Sequence, residues 1–394
     1  MHLILFDDHA WDNLLPLTFT RPVSELRVGI LTIAEKWQAA LQMTPSVLTR
    51  EYLSRKFPLL QGDQNLLING SLLPDHKVIG AIQSLKKGQS LEKEGTLLAL
   101  RCNEIPKDFN TKSYIGKGLE HPDEISLVDY PWKIFALNGQ EISADMDRIT
   151  AGRAGEPLSE TVRVLQPGNV FIEKGFTGEH FTINALGGPV YLGRDAEIME
   201  GSTIRGPFAL CEGSVVKMGA KIYGPTTIGP WSKVGGEINN SVIQANSNKA
   251  HDGFLGNAVI GEWCNLGADT NNSNLKNNYS EIKIWNYPRK KFIRTGRQFC
   301  GLIMGDHSKC GINTMFNTGT VVGVSANIFG PGFPRNFIPS FSWGGSGGMT
   351  TYKMDKVLET IRLVMERRSV ELLEEDQAIL QYIFDYSEGF RKWH

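Results

Sequence analysis

The feature that most constrains this chain is a period of six. Leu192, Ile198, Ile204, Leu210, Val216, Ile222, Ile228 and Val234 are eight aliphatic residues at unbroken six-residue spacing. An amphipathic helix repeats its apolar residues about every 3.6 positions and a half-buried strand about every 2, and neither period generates this series. A second phase, Gly201, Pro207, Gly213, Gly219 and Pro225, carries turn-forming residues. Short strands joined by tight corners and stacked as a solenoid satisfy both series. One inward aliphatic per strand fills the axis, and the small or turn-prone residue takes the corner. The period resumes at Phe254, Ile260 and Leu266, and again at Met304, Cys310, Phe316, Val322 and Ile328. Between these runs, residues 269–299 break it with Asn271-Asn272-Ser273-Asn274 and two strand-like runs, Glu281 to Trp285 and Lys291 to Thr295. That stretch reads as a loop and hairpin extruded from the solenoid.

The rest of the chain reads differently. Residues 1–150 alternate apolar runs, Leu66-Leu67-Ile68 and Leu97-Leu98-Ala99-Leu100, with helical stretches such as Ile30 to Leu41, which suggests an α/β domain. Residues 151–164, with Gly152, Gly155 and Pro157, read as a linker, and 165–345 as the β-helix. In 346–394, Met354, Leu358, Ile361 and Met365 recur at helical spacing, and Leu373, Leu380 and Phe384 lie on a second such stretch. These C-terminal helices are expected to cap the open end of the solenoid. The chain has 42 glycines, above the usual share of roughly 7%, and many of them fall at corners.

Charge is balanced, 41 Lys+Arg against 42 Asp+Glu, which argues against a nucleic-acid binder with a dominant basic field. No apolar run approaches the roughly 18 residues of a membrane span. The start, Met1-His2-Leu3-Ile4-Leu5-Phe6-Asp7-Asp8, turns acidic before a signal-peptide core forms. Five cysteines without a CxxC pair do not make a disulfide scaffold. A soluble, cytoplasmic protein is expected. His180, His251 and His307 form no ligand cluster at coil spacing, so a metal-bearing β-helix is not expected.

Within the solenoid, the stretch from Lys249 to Ala268 sets His251 before Phe254-Leu255-Gly256, then Ile260-Gly261, then Asn265-Leu266-Gly267-Ala268. This spacing resembles the acetyltransferase half of the bacterial bifunctional family that acetylates glucosamine-1-phosphate and then couples N-acetylglucosamine-1-phosphate to UTP. Leu15-Pro16-Leu17-Thr18-Phe19-Thr20-Arg21-Pro22 and Ile68-Asn69-Gly70-Ser71-Leu72-Leu73 resemble, more faintly, the sugar-nucleotide pyrophosphorylase partner domain. Two departures stand out. Asp7-Asp8-His9-Ala10-Trp11 occupies the place of the Gly-rich phosphate loop, and Ser71 that of the Asp that would hold Mg2+. The chain is therefore similar to a variant group of the family with a reduced N-terminal domain.

The resemblance implies a left-handed parallel β-helix and an N-acetyltransferase that uses acetyl-CoA, needs no metal for that step and assembles as a homotrimer. It implies His251 as general base, with Glu237 orienting it or binding the amine. Asn265, Asn274 and Lys276 would serve the sugar phosphate and its loop, and Phe254 stands where the family has Tyr. Gly267, Ala268, Gly311, Ile312 and Asn313 would line the acetyl-CoA groove, with Ile312 at a position where the family has a small residue. Arg294, in a basic run with Arg289, Lys290, Lys291 and Arg297, would meet the CoA phosphates. For the N-terminal domain it implies UTP or another NTP, Mg2+ if that domain is active, and Arg21 and Asp8 as phosphate and metal contacts. The competing expectation is a sugar-nucleotide-binding scaffold or sensor with an inactive solenoid.

Overall fold

The computed structural model of the chain describes residues 1–106 and 108–393. Contacts divide it into two compact units: Met1–Leu14, Thr20–Leu26 and Leu31–Tyr130 in the first, and Leu15–Phe19, Arg27–Ile30 and the chain from Pro131 onward in the second.

The first unit is built on one mixed six-stranded sheet. Its strands are β1 (His2–Phe6), β2 (Pro45–Leu48), β3 (Asn65–Asn69), β4 (Ser90–Lys93), β5 (Thr96–Cys102) and β6 (Leu119–Glu120), in the order β2-β1-β3-β5-β4-β6. The two apolar runs seen in the sequence are the buried β3 and β5, paired antiparallel. The first helix of the expected alternation begins at Ile33 rather than Ile30. Thr32 caps it by accepting the Glu35 N–H at 3.2 Å, while Glu35 Oε2 accepts the Thr32 N–H at 2.7 Å. Because β2 and β3 flank β1 on opposite sides, both parallel to it, the chain diverges at the carboxyl ends of β1 and β3. Such a switch point opens a crevice where open α/β sheets bind ligands.

In the second unit the chain winds through three parallel faces in turn. Face one begins with Arg163–Leu165 and runs to Phe254–Gly256 in six strands. Face two has nine strands from Val170–Ile172 to Phe337–Ile338, and face three has nine parallel strands from Thr177–Gly178 to Ser342–Gly345. The expected architecture, an α/β domain followed by a parallel β-helix and C-terminal helices, is the one observed. All eight aliphatics of the unbroken hexad series are at most 2% exposed and line one continuous core. The corners follow from sterics. At Gly213, φ is +62° and a Cβ would lie 2.2 Å from the Trp231 ring one turn on, so glycine is required there.

The six-residue grid does not continue unchanged. On face three Val216 pairs with Val234, but Val234 pairs with Lys249, three residues early for an unchanged coil. The phase slips, and the inward residue of the next face-one strand is Leu255, 1% exposed, instead of Phe254. Phe254 is half-buried on the outer side. The extruded segment also starts later than expected, because Asn271–Asn272 still pairs in parallel with Met315–Phe316. The hairpin itself is present, Lys283–Asn286 antiparallel to Lys291–Arg294, with Trp285 stacked on Phe337 at 4.2 Å between ring centroids.

Helix Pro131–Thr150 groups with the solenoid. It packs on the face-two strands from Phe208–Leu210 to Val259–Ile260. The buried Asn138 amide accepts from Gly29 N and Thr227 Oγ1 and donates to Pro225 O, so its polar atoms are satisfied in an apolar seam. Of the C-terminal helices, Met354–Glu366 and Glu374–Tyr386, the second packs on the last coil, with Phe384 edge-on to Phe341 at 5.0 Å between ring centroids. The last face-three strand, Ser342–Gly345, is closed by antiparallel Gly348–Thr351. The chain after the first helix reaches back along face three, where Arg368 donates to Asn248 Oδ1 at 3.0 Å. No helix among the described residues is long and apolar enough to cross a membrane.

Candidate functional site

His251 lies on the corner where face three turns into face one, between strands Asn248–Lys249 and Phe254–Gly256. The same corner on the next turn is Gly267-Ala268-Asp269, tied to it by Asp269 N donating to Asp252 O at 3.0 Å. On the turn after, it is Gly311-Ile312-Asn313, tied by Asn313 N donating to Ala268 O at 2.8 Å. Stacked parallel strands stand about 4.8 Å apart, so these three corners line one edge about 10 Å long. Sequence positions some 60 residues apart thus meet because the intervening hairpin is looped out. A Cβ on Gly267 would fall 2.5 Å from the Gly311 carbonyl carbon, so only glycine allows that approach. Ile312, 72% exposed, projects from the same edge.

Past the corner, on face one, Glu237 and Phe254 are direct register neighbours. Tyr223 donates its phenol to Glu237 Oε1 at 2.5 Å, and that bond pushes the phenol up to about 12. Glu237 is thereby held by Tyr223, and no hydrogen bond joins it to His251 among the described residues; the orienting role expected for it is not seen in the geometry. The His251 side chain is exposed and unbonded among the described residues. Asn265 is exposed on face three, in the strand that enters the Gly267 corner. Asn274 donates to Asn257 Oδ1 at 2.8 Å and anchors the start of the extruded loop. Lys276 donates to Glu281 O within that loop. Arg294 sits on the hairpin 3.7 Å from Glu281, and the hairpin packs over the Gly319 corner, between faces one and two. The structure therefore does not bring Arg294 to the His251 edge.

Sequence reading missed Lys249. It occupies an inward ladder position between Val234 and Leu266 and is 2% exposed. Its ammonium donates to Gly235 O at 3.2 Å, His251 O at 2.5 Å and Asp252 O at 3.1 Å. Burial lowers its pKa to about 8. The ammonium clamps the backbone of the His251 corner from inside. The available signal was a cation where the shortened coil places the aliphatic of the repeat.

In the first unit, a cleft of about 680 Å³ opens at the carboxyl ends of the strands, lined by Asp7, Asp8, His9, Asp12, Arg50 and Lys112 among others. Asp8 accepts the Ala10 N–H at 2.8 Å and the Asn69 amide at 2.9 Å, and its carboxylate lies 3.3 Å from His9. Burial pushes its pKa up, but the bonds from His9, Ala10 and Asn69 outweigh that and hold it low. The backbone N–H that a phosphate loop would present is thus already taken by a carboxylate. Asp7, which accepts from Thr49 Oγ1 and Val23 N, is raised by burial to about 7. Asp12 pairs with Arg50 at 2.7 Å. Arg21 is buried and does not line the cleft; its carbonyl accepts the Trp11 indole N–H. Ser71, 2% exposed, donates to Asn69 Oδ1.

Comparison with known proteins bears first on the N-terminal region. Residues 3–154 match the family model described as sugar nucleotidyl transferase. The N-terminal region is nucleotidyltransferase-like. No curated protein sequence matches the chain significantly. Among solved structures, the UDP-N-acetylglucosamine acyltransferase of Francisella novicida is 12% identical, covering 59% of this chain and 76% of its own, with a TM-score of 0.31. The Arabidopsis enzyme of that name is 17% identical, covering 60% and 99%, with a TM-score of 0.24. The polySia-specific acetyltransferase NeuO is 17% identical, covering 49% and 85%, with a TM-score of 0.26. With TM-scores this low, function has to be argued from the side chains of this chain.

Proposed function

We propose that the His251 edge of the solenoid transfers an acetyl group from acetyl-CoA to the amine of an amino-sugar phosphate, with glucosamine-1-phosphate as the first candidate. The observation that carries this reading is the stacking of His251, Gly267-Ala268 and Gly311-Ile312-Asn313 on one edge. A neutral imidazole can accept a proton on its free ring nitrogen. Gly267 and Ala268 leave room for an extended thioester arm beside it. The amine nitrogen attacks the thioester carbonyl and forms the C–N bond, and His251 takes the amine proton. The C–S bond breaks, and the departing thiolate recovers that proton from the imidazolium, leaving an amide and free CoA. Glu237 and Asn265 flank the edge as polar contacts for the sugar. The edge is open to solvent, so the reading includes a homotrimer in which a neighbouring solenoid supplies the opposite wall.

Release of free thiol from acetyl-CoA against a panel of amino-sugar phosphates tests this. A general base typically contributes about 10²–10⁴ in rate, so His251→Ala should lower kcat by that factor with little change in KM for acetyl-CoA. Full turnover by that variant would remove His251 from the chemistry. Silence of the wild-type protein on every acceptor would favour the competing reading, a sugar-nucleotide-binding scaffold.

Mg2+, which the resemblance implies for the N-terminal cleft, does not fit the carboxylates as they stand. Both Asp8 oxygens accept hydrogen bonds, Asp12 is paired with Arg50, and burial favours the neutral form of Asp7. No group of three or more candidate ligand side chains forms among the described residues. We therefore read this unit as a binding module for a sugar nucleotide. Pyrophosphate release from UTP and N-acetylglucosamine-1-phosphate would overturn that.

A further inference from the structure

We infer that the groove between face three and the end of helix Met354–Glu366 binds the phosphates of a small phosphorylated ligand. The groove has a volume of about 410 Å³ and lies within the second unit. Its floor is a ladder of register neighbours on consecutive turns, Lys233, Asn248, Asn265 and Lys309. Its roof is the end of the helix, from which Arg367 and Arg368 reach in. Four cations and three amides, Asn246 with Asn248 and Asn265, thus converge on one cavity, and no carboxylate lines it.

None of the four cations forms an ion pair among the described residues. Arg368 is held in place by the Trp231 carbonyl and by Asn248 Oδ1, with its guanidinium over the Trp263 ring at 5.9 Å. Lys309 is half-buried and donates only to the His307 carbonyl, at 3.0 Å. Burial lowers the pKa of both, the mark of positive charge drawn from water without a counter-charge. An anion in the groove would relieve that cost, and phosphate oxygens match both the guanidinium fork and the Asn N–H donors. Seven of the ten lining side chains are charged or amide, and the apolar members are Val364, Trp263 and Cys264. A space of this size between a sheet and a helix takes a small molecule rather than a polymer. With four positive charges to answer, a diphosphate suits it better than a single phosphate.

The inference does not depend on acetyl transfer, although Asn265 borders both sites. Calorimetric titration of the full chain with inorganic pyrophosphate, inorganic phosphate, a nucleoside diphosphate and CoA tests it. Pyrophosphate should bind saturably at one site per chain, more tightly than phosphate, and weaken steeply with salt. Lys233 and Arg367 make no side-chain hydrogen bond among the described residues, so their removal should leave the fold intact. The variant Lys233→Ala/Arg367→Ala should weaken pyrophosphate by about tenfold or more at an unchanged melting temperature. Lys174→Ala/Lys356→Ala, which removes the same charge elsewhere in the unit, should leave it unaltered. Should the double variant melt early, Lys233→Gln alone should still weaken binding about threefold. The nucleoside diphosphate and CoA arms, read in the same variants, tell which molecule carries the phosphates. Absence of binding, binding indifferent to Lys233 and Arg367, or binding abolished by Arg50→Ala in the N-terminal cleft would each overturn the inference.

Discussion

Replacing Lys249 by Met should change how the stability of the solenoid depends on pH. Lys249 stands where the repeat calls for an aliphatic, with its ammonium sealed under the His251 corner and bonded to three carbonyls. Its folded pKa of about 8 lies below the ordinary 10.5 of the unfolded chain. Between those values the unfolded state holds one more proton than the folded state, so stability rises with pH there. Each pKa unit is worth about 1.4 kcal/mol, so the charged lysine costs the fold on the order of 3 kcal/mol near neutral pH. Between pH 7.5 and 9.5 about 2 kcal/mol of that cost should disappear. Lys249→Met has no such proton to lose. Urea unfolding of the second unit, followed for both proteins at the two pH values, isolates the effect because every other titration cancels in the difference. The gap between wild type and variant should move by about 2 kcal/mol in favour of the wild type at the higher pH. A gap constant to within about 0.5 kcal/mol would mean that the ammonium is solvated and does not clamp the corner.

Other outcomes follow from the same geometry. Asp7 is raised by burial to about 7, above its unfolded value of 3.8, so its contribution to stability is full at low pH and is lost as pH rises through 7. Asp7→Asn should flatten the decline of N-terminal-unit stability between pH 5 and 8 in a denaturant series; an unchanged slope would place its carboxyl in water. Leu255→Ala should cost about 2–5 kcal/mol, as expected for a buried core leucine, while Phe254→Ala should cost about 1 kcal/mol or less. Chemical denaturation reading the reverse order would restore the unslipped hexad phase.

How far the sequence reaches can be judged residue by residue. The inward series from Leu192 to Val234 was legible because each coil packs on the coil eighteen residues away, and equal coils leave an equal period. Leu255 was hidden behind Phe254 because one short coil shifts the phase, and nothing local in the sequence marks the loss. The His251-to-Ala268 spacing was legible as a family resemblance, since both lie on adjacent turns with no excursion between them. The seat of Arg294 was not legible, because the position of a hairpin depends on distant partners such as Phe337.

By itself the sequence determined that this chain contains a solenoid, which residues face its axis through the regular coils, and that an α/β region precedes it. These are short-range consequences of periodicity, turn chemistry and burial. Only the tertiary structure decided that helix Pro131–Thr150 packs on face two, and that a hairpin closes the last coil. It also decided that Lys249 is sealed beneath His251, and that Arg367 and Arg368 close a basic groove over Lys233 and Lys309. The physical reason is the same in each case. Electrostatic environments and docked surfaces depend on which distant segments share a boundary, and a repeat specifies only the neighbours one turn away.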